Sequence, residues 1–221
     1  MNLWDIHTHH RGTEKAIFNL LDFSDTPDQH FSAGLHPWFL DENWEGKLHQ
    51  IRSVSQQTPA LLAIGECGFD RLRGPNNSLQ KAAFRGQADL AKELEIPLVL
   101  HCVKGFDLLL EYLKAEKNPP AIIWHGWNLK PELATQLLQY PVFFSFGKHL
   151  QKKESNAAGW LNLCPRDRIF LETDDSGLEI SSVYQAASLI LRLSVEELEQ
   201  LVISNWNRIS KRKIEWVNLP G

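Results

Sequence analysis

At 221 residues and 25.3 kDa, the chain suits one domain of α/β-barrel size or two small domains. Its 43% hydrophobic and 23% charged content is that of a soluble globular protein with a sizeable core. The net charge of −4 and pI of about 6.1 exclude a general basic field for tight nucleic-acid binding, while leaving DNA chemistry open.

The first apolar run, Leu3, Trp4 and Ile6, predicts a strand over residues 3–7 that leads into Asp5-Ile6-His7-Thr8-His9. Strand side chains alternate with a period of two, so His7 and His9 point one way and Thr8 the other. Two imidazoles side by side at a strand end can grip one divalent ion. The plainer alternatives are a solvated polar strand end or the stub of a purification tag, and a tag stub would not be woven into an apolar strand.

A second strand is predicted over residues 16–21, with one turn of helix as its alternative. A third covers 31–35 and ends at Gly34-Leu35-His36-Pro37-Trp38; residues 22–30 between them are Asp-rich, carry Pro27 and read as loop. Leu48, Ile51 and Val54, spaced by three, predict a helix over 42–57. A fourth strand over 60–65 delivers Glu66. Asn76 to Ser78 can cap a helix running to about residue 95, stopped by Pro97. Leu98-Val99-Leu100 is a buried strand ending at His101, and a helix over 106–117 is closed by Pro119-Pro120. The sixth strand, 121–124, ends at His125; a helix over 131–139 and a seventh strand over 142–146 follow. Residues 149–163 are less regular, with an interruption at 155–159, before an eighth strand over 168–172 delivers Asp174. The tail predicts helices over 180–193 and from the Ser194 cap to about Lys213, with Glu196 and Glu197 in the first turn. Lys211-Arg212-Lys213 reads as the positive end of that helix rather than a binding patch.

Strands alternating with helices imply parallel pairing and right-handed crossovers. Eight such units place the chain in the α/β class as a (β/α)8 TIM-type barrel, distorted, with early helices shortened or missing. An open doubly wound sheet is the competitor, but no glycine-rich nucleotide fingerprint follows the first strand. Without repeat, low-complexity tract or linker, residues 1–221 read as a single barrel domain. Three cysteines, Cys67, Cys102 and Cys164, argue against a disulfide framework and for a reducing, cytoplasmic setting. No segment reads as a signal peptide or a membrane span, and nothing points to an obligate protein partner.

His7 and His9 follow the first strand, Glu66 the fourth, His101 the fifth, His125 the sixth and Asp174 the eighth. All are metal-ligand types at strand carboxyl ends, where a parallel barrel converges on its active-site face. One such histidine is commonly a hydrogen-bonded core residue. Six unpaired polar side chains would cost several kcal/mol each to bury, a penalty that metal coordination removes. Four histidines and two carboxylates suffice for a pair of ions with open positions for water and substrate.

These residues lie in segments that resemble the TatD-type metal-dependent deoxyribonucleases of the amidohydrolase-like barrels. The matching stretches are Asp5-Ile6-His7-Thr8-His9, Gly34-Leu35-His36-Pro37, Gly65-Glu66-Cys67-Gly68-Phe69-Asp70, Pro97 to His101, His125-Gly126 and Glu172-Thr173-Asp174, with Gln80 and Asn205-Trp206-Asn207-Arg208 alike. The resemblance implies that His7, His9 and Asp174 hold one ion and His101 and His125 the other, with Glu66 bridging. Glutamate rather than lysine in the bridging position makes a carboxylated-lysine bridge unexpected. It implies further that a metal-activated water attacks a phosphodiester phosphorus while Asp174 accepts its proton. Mg²⁺ is the working ion expected in such nucleases, and the histidine-rich set also suits Zn²⁺ or Mn²⁺.

Several neighbours keep two readings. His36 either contacts substrate phosphate or is structural. Arg73 either holds a phosphate bidentately or is a solvated loop arginine. Trp38, Trp127 and Phe146 either stack on bases or pack the barrel. Asp175 either assists Asp174 or caps the loop behind it. Alternation turns Cys67 and Cys102 away from the site, as buried thiols. Two departures bear on the substrate: Asp175-Ser176-Gly177 replaces the Ala-Pro and longer loop usual after Glu-Thr-Asp, and Gly126-Trp127-Asn128 replaces the Cys-Phe-Ser-Gly usual after the sixth-strand histidine. Three functions follow: a metal-dependent phosphodiesterase acting on DNA at strand ends, a metal-dependent hydrolase of a small amide, lactone or phosphate ester, or a non-catalytic protein that keeps the metal site as a structural or regulatory feature.

Overall fold

The computed structural model describes residues 3–23 and 27–215. Met1 and Asn2, the middle of the loop expected over 22–30, and residues 216–221 lie outside the described residues. Eight strands form one parallel sheet in sequence order: β1 (Asp5–Thr8), β2 (Ala16–Leu20), β3 (Phe31–Ala33), β4 (Leu61–Asp70), β5 (Leu98–Val103), β6 (Ile122–Trp124), β7 (Val142–Phe146) and β8 (Ile169–Leu171). A parallel bridge between Thr8 and Asp174 brings the end of β8 back to β1 and all but closes the barrel. The strands are buried along nearly their whole length, which is why they read as continuous apolar runs.

Helices α1 (Trp44–Gln57), α2 (Asn77–Leu94), α3 (Phe106–Ala115), α4 (Pro131–Leu137), α5 (Asn156–Leu163), α6 (Ile180–Leu191) and α7 (Val195–Ile209) follow β3 onward. Among the described residues no α-helix separates β1 from β2 or β2 from β3, so the barrel is distorted on its early side. The side chain of Asn76 caps α2 by accepting the Leu79 N–H at 3.0 Å, and α2 buries Ala83, Phe84, Ala88, Leu90 and Ala91 against the sheet. Burial of a ring such as Phe84 removes enough apolar surface from water to stabilise the fold by about 2–3 kcal/mol. Ser194 and Glu197 form a reciprocal capping box on α7.

Three boundaries differ from the sequence expectation. β4 and β5 run on together, with Asp70 paired to Val103, so Glu66 and His101 lie inside strands rather than after them. The expected interruption at 155–159 is instead a helix start: Ser155 accepts the Ala158 N–H and Gly159 lies within α5. α7 stops at Ile209 because Ser210 turns extended, and Arg212 then reaches the carbonyls of Ser55, Thr58 and Leu61 below the sheet. Lys211 pairs with Glu95, and of the basic cluster Lys213 serves the end of the last helix, donating to the carbonyls of Asn207 and Ser210.

Close approach beneath the site depends on glycine. A Cβ on Gly34 would lie 2.4 Å from Gly65 Cα, and one on Gly68, at φ +142°, would lie 2.1 Å from the His101 carbonyl oxygen. The absence of side chains at these two positions lets β3, β4 and β5 pack closely where Glu66 emerges.

Candidate metal centre

The carboxyl ends of the strands bring all six expected residues together. Glu66 is the hub: Oε2 lies 3.6 Å from His7 Nε2 and 3.4 Å from His9 Nε2. Its Oε1 lies 2.7 Å from His101 Nδ1, 2.8 Å from His125 Nε2 and 3.3 Å from His36 Nε2. Asp174 Oδ1 stands 3.6 Å from His7 Nε2 and 3.5 Å from His9 Nε2. Backbone bonds fix this end of the barrel, from Asp174 N–H to His7 O at 2.9 Å and from His9 N–H to Asp174 O at 3.0 Å.

Three trios have ligand atoms close enough to share a cation: His7, His9 and Glu66; His7, His125 and Asp174; and His36, Glu66 and His101. His36, weighed from sequence as phosphate contact or structural residue, thus stands among the potential ligands. A further observation fits a metal. Both ring nitrogens of fully buried His7, and Nδ1 of His125, have no hydrogen-bond partner, a state that costs stability unless something else coordinates them. The clusters can hold metal ions by donor type and spacing.

The electrostatics are those of a cation site. Burial disfavours charge on Glu66, but the imidazoles of His125, His101 and His36 outweigh it and hold the carboxyl well below its ordinary range. Burial likewise opposes charge on His7, yet Asp174 and Glu66 hold its pKa well above the histidine norm. Asp174 is lowered against its own burial by the neighbouring imidazoles of His7 and His125. The carboxylates therefore stay ionised and seek positive partners.

Other residues, unassigned from sequence, position this shell. Asn19, a lone polar residue in the apolar run of β2, donates to Glu66 Oε2 at 3.1 Å and accepts the Glu66 N–H at 3.1 Å. Asp70 Oδ2 lies 3.2 Å from His101 Nε2. Gln80 braces Asp70 by accepting its N–H at 2.8 Å and donating to its carbonyl at 3.0 Å. Glu172, fully buried, accepts the Gly126 N–H at 2.5 Å beside His125, and burial raises its pKa. Asp5 accepts the Thr173 N–H and hydroxyl at 3.0 and 2.5 Å; burial, working against those bonds, pushes it up to about 7. Asp5, Asp70 and Glu172 all lie in the quoted motifs, but only their partners reveal what they do.

On the open side, Arg73 lies over the Trp38 ring, 3.9 Å from its centroid. Trp38 and Phe39 are 38% and 61% exposed. Beside them a groove of about 570 Å³ is lined by Leu21, Phe23, Leu35, His36, Phe39 and Lys47. Trp127 and Phe146 are fully buried in the core, which settles them as packing residues. Asp175 neither caps the loop nor touches the cluster; it accepts from Lys148 Nζ at 2.6 Å. Cys67 turns its thiol to the Val99 carbonyl at 3.7 Å, away from the hub. Among the described residues no helix is long and apolar enough to cross a membrane.

A 3'-5' ssDNA/RNA exonuclease TatD from Erwinia tasmaniensis is 32% identical over 154 residues, covering 67% of this chain and 59% of that protein. An uncharacterized metal-dependent hydrolase, YjjV, from Escherichia coli is 27% identical over 146 residues, covering 65% of this chain and 56% of that protein. The chain therefore spans less than two thirds of the length of these curated relatives. The crystal structure of the Escherichia coli YjjV, a TatD homolog, superposes with a TM-score of 0.77 at 19% identity over 95% of this chain and 98% of that one, and so shares the fold. The family model described as TatD related DNase matches residues 13–211, and the chain belongs to that family.

Proposed function

We propose that the chain is a single-domain, divalent-metal-dependent phosphodiesterase that shortens single-stranded DNA from its end. The observation that carries this reading is the division of Glu66, whose two carboxylate oxygens face separate groups of imidazoles. In this reading His7, His9 and Asp174 hold one divalent ion, His101 and His125 hold a second with His36 at its edge, and Glu66 bridges. Bound divalent ions supply Lewis acidity, making water acidic near neutral pH and offsetting charge on a phosphoryl group. Mg²⁺ is the proposed working ion, with Zn²⁺ or Mn²⁺ suited to the same donors.

The chain's own residues do the rest. Asp174 turns Oδ1 to the histidines and Oδ2 to the half-exposed Lys148, and in this reading its carboxylate accepts the proton of an attacking water. Asn19 and Asp70 hold Glu66 and His101 in fixed orientations. Arg73, which lies over the ring of partly exposed Trp38, would meet a substrate phosphate, and exposed Phe39 would offer a ring to a base. The TatD relative's printed activity supports the choice of single-stranded substrate and end-directed action, and the family match does not favour the small amide or lactone reading. Three free thiols suit a reducing, cytoplasmic setting.

The test is a 5'-labelled single-stranded oligonucleotide incubated with Mg²⁺, Mn²⁺ or Zn²⁺. Stepwise shortening that disappears in His101→Ala and Asp174→Ala is the expected result. An oligonucleotide left intact with all three ions would overturn the reading.

A further inference from the structure

β7 ends at Phe146, and the next residue, Gly147, passes so close to the residue after β8 that a Cβ there would lie 2.9 Å from the Glu172 carbonyl oxygen. That close approach sets Lys148 at the edge of the metal cluster. Its Nζ lies 2.6 Å from Asp175 Oδ1 and 3.7 Å from Asp174 Oδ2. Since Asp174 Oδ1 faces His7 and His9, a single carboxylate separates the ammonium from these two candidate histidine ligands. The pair is open to water, with Lys148 44% and Asp175 66% exposed.

We propose that Lys148 binds a phosphate of the incoming substrate and that Asp175 holds it in place before the substrate arrives. This rests on the phosphodiesterase reading, because only an anionic substrate would draw the lysine from its aspartates. Lysine suits this role because it is a compact point charge on a flexible stem and can follow a phosphate without a fixed bidentate geometry. An exposed, salt-screened pair exchanges partners easily. The position also fits. Arg73 follows β4 and Lys148 follows β7, three strands further round the barrel, so the two cations stand on different sides of the mouth. A nucleic-acid strand carries a charge at every phosphodiester, and one lying across the cluster would meet both. Asp175 then tunes affinity, competing with the substrate for the same ammonium.

The alternative is a purely structural pair that ties the loop after β8 to β7. The experiment uses the metal-loaded protein with Lys148→Met, Lys148→Arg, Asp175→Asn and the double variant, with Lys117→Met, on an exposed loop entering β6, as control. Lys148→Met is expected to raise KM for a single-stranded oligonucleotide about tenfold with kcat little changed. It should also lower the slope of log affinity against log salt by about 0.7. Lys148→Arg restores most of the affinity, and Asp175→Asn lowers KM only while Lys148 is present. An unchanged KM and salt slope in Lys148→Met, or an Asp175→Asn gain that persists in the double variant, overturns the proposal. Binding of inorganic phosphate, measured by calorimetry, separates this idea from the reading beneath it. If no oligonucleotide is cut but phosphate binding still weakens in Lys148→Met, the nuclease reading fails and the lysine site stands. Equal phosphate binding by both proteins overturns the site.

Discussion

Trp38 donates its indole N–H to Asp70 Oδ2 over 2.6 Å. The same oxygen lies 3.2 Å from His101 Nε2, while His101 Nδ1 faces Glu66. Asp70 therefore sets the orientation of a candidate ligand from behind, and Trp38 sets the orientation of Asp70. In Asp70→Asn the amide oxygen can still accept from Leu72 and Arg73, but the acceptor shared by Trp38 and His101 is lost. Metal affinity, read by competition with a chelating dye, should fall about 10–100-fold. Unchanged affinity would show that Asp70 only shapes its turn.

Asn19 pairs with Glu66 twice, through the carboxylate and the backbone N–H. Asn19→Ala leaves both buried groups unsatisfied, so urea unfolding of the metal-free protein should show a loss of about 1–3 kcal/mol. A midpoint equal to that of the wild type would mean that water replaces the amide without loss.

Two glycines should respond with opposite signs to the same change. Gly34→Ala forces a methyl group against Gly65, where the gap is 2.4 Å, and should cost about 1–3 kcal/mol. Gly159 lies in α5 with nothing within 4 Å of an added Cβ, so Gly159→Ala should gain about 0.5–1 kcal/mol from helix propensity. Thermal midpoints of the two variants moving in the same direction would contradict this account.

His30 supplies a pH dependence away from the cluster. Burial lowers its pKa below 6.5, its Nδ1 is buried without a partner, and its ring packs 5.7 Å from Trp4. The unfolded chain takes up this proton first as pH falls, so the contribution to stability is complete above pH 6.5 and is lost as pH drops through the folded-state value. His30→Phe removes that loss. Relative to the wild type, its urea midpoint should improve on going from about pH 7 to about pH 5, and a constant difference would rule out His30 as the source.

The strand ends were readable in one dimension because a parallel barrel sends every strand's carboxyl end to the same face. That rule alone gathers His7, His9, Glu66, His101, His125 and Asp174 without knowledge of any distance. Asn19 was visible as a polar residue in an apolar strand, but its partner lies 47 positions away, and no local pattern encodes that separation. Trp127 and Phe146 differ from Trp38 only in burial, which depends on neighbours from other strands.

By itself, then, the sequence determined the alternation of strands and helices, the barrel class and the residue types gathered at its mouth, because hydrophobic period and chain order act locally. Tertiary structure alone decided how those residues face one another. It divided Glu66 between two groups of imidazoles, brought His36 among the candidate ligands, set Asp70 behind His101 and placed Lys148 beside Asp174. These relations arise between distant strands, where packing and register fix distances that the order of residues does not carry.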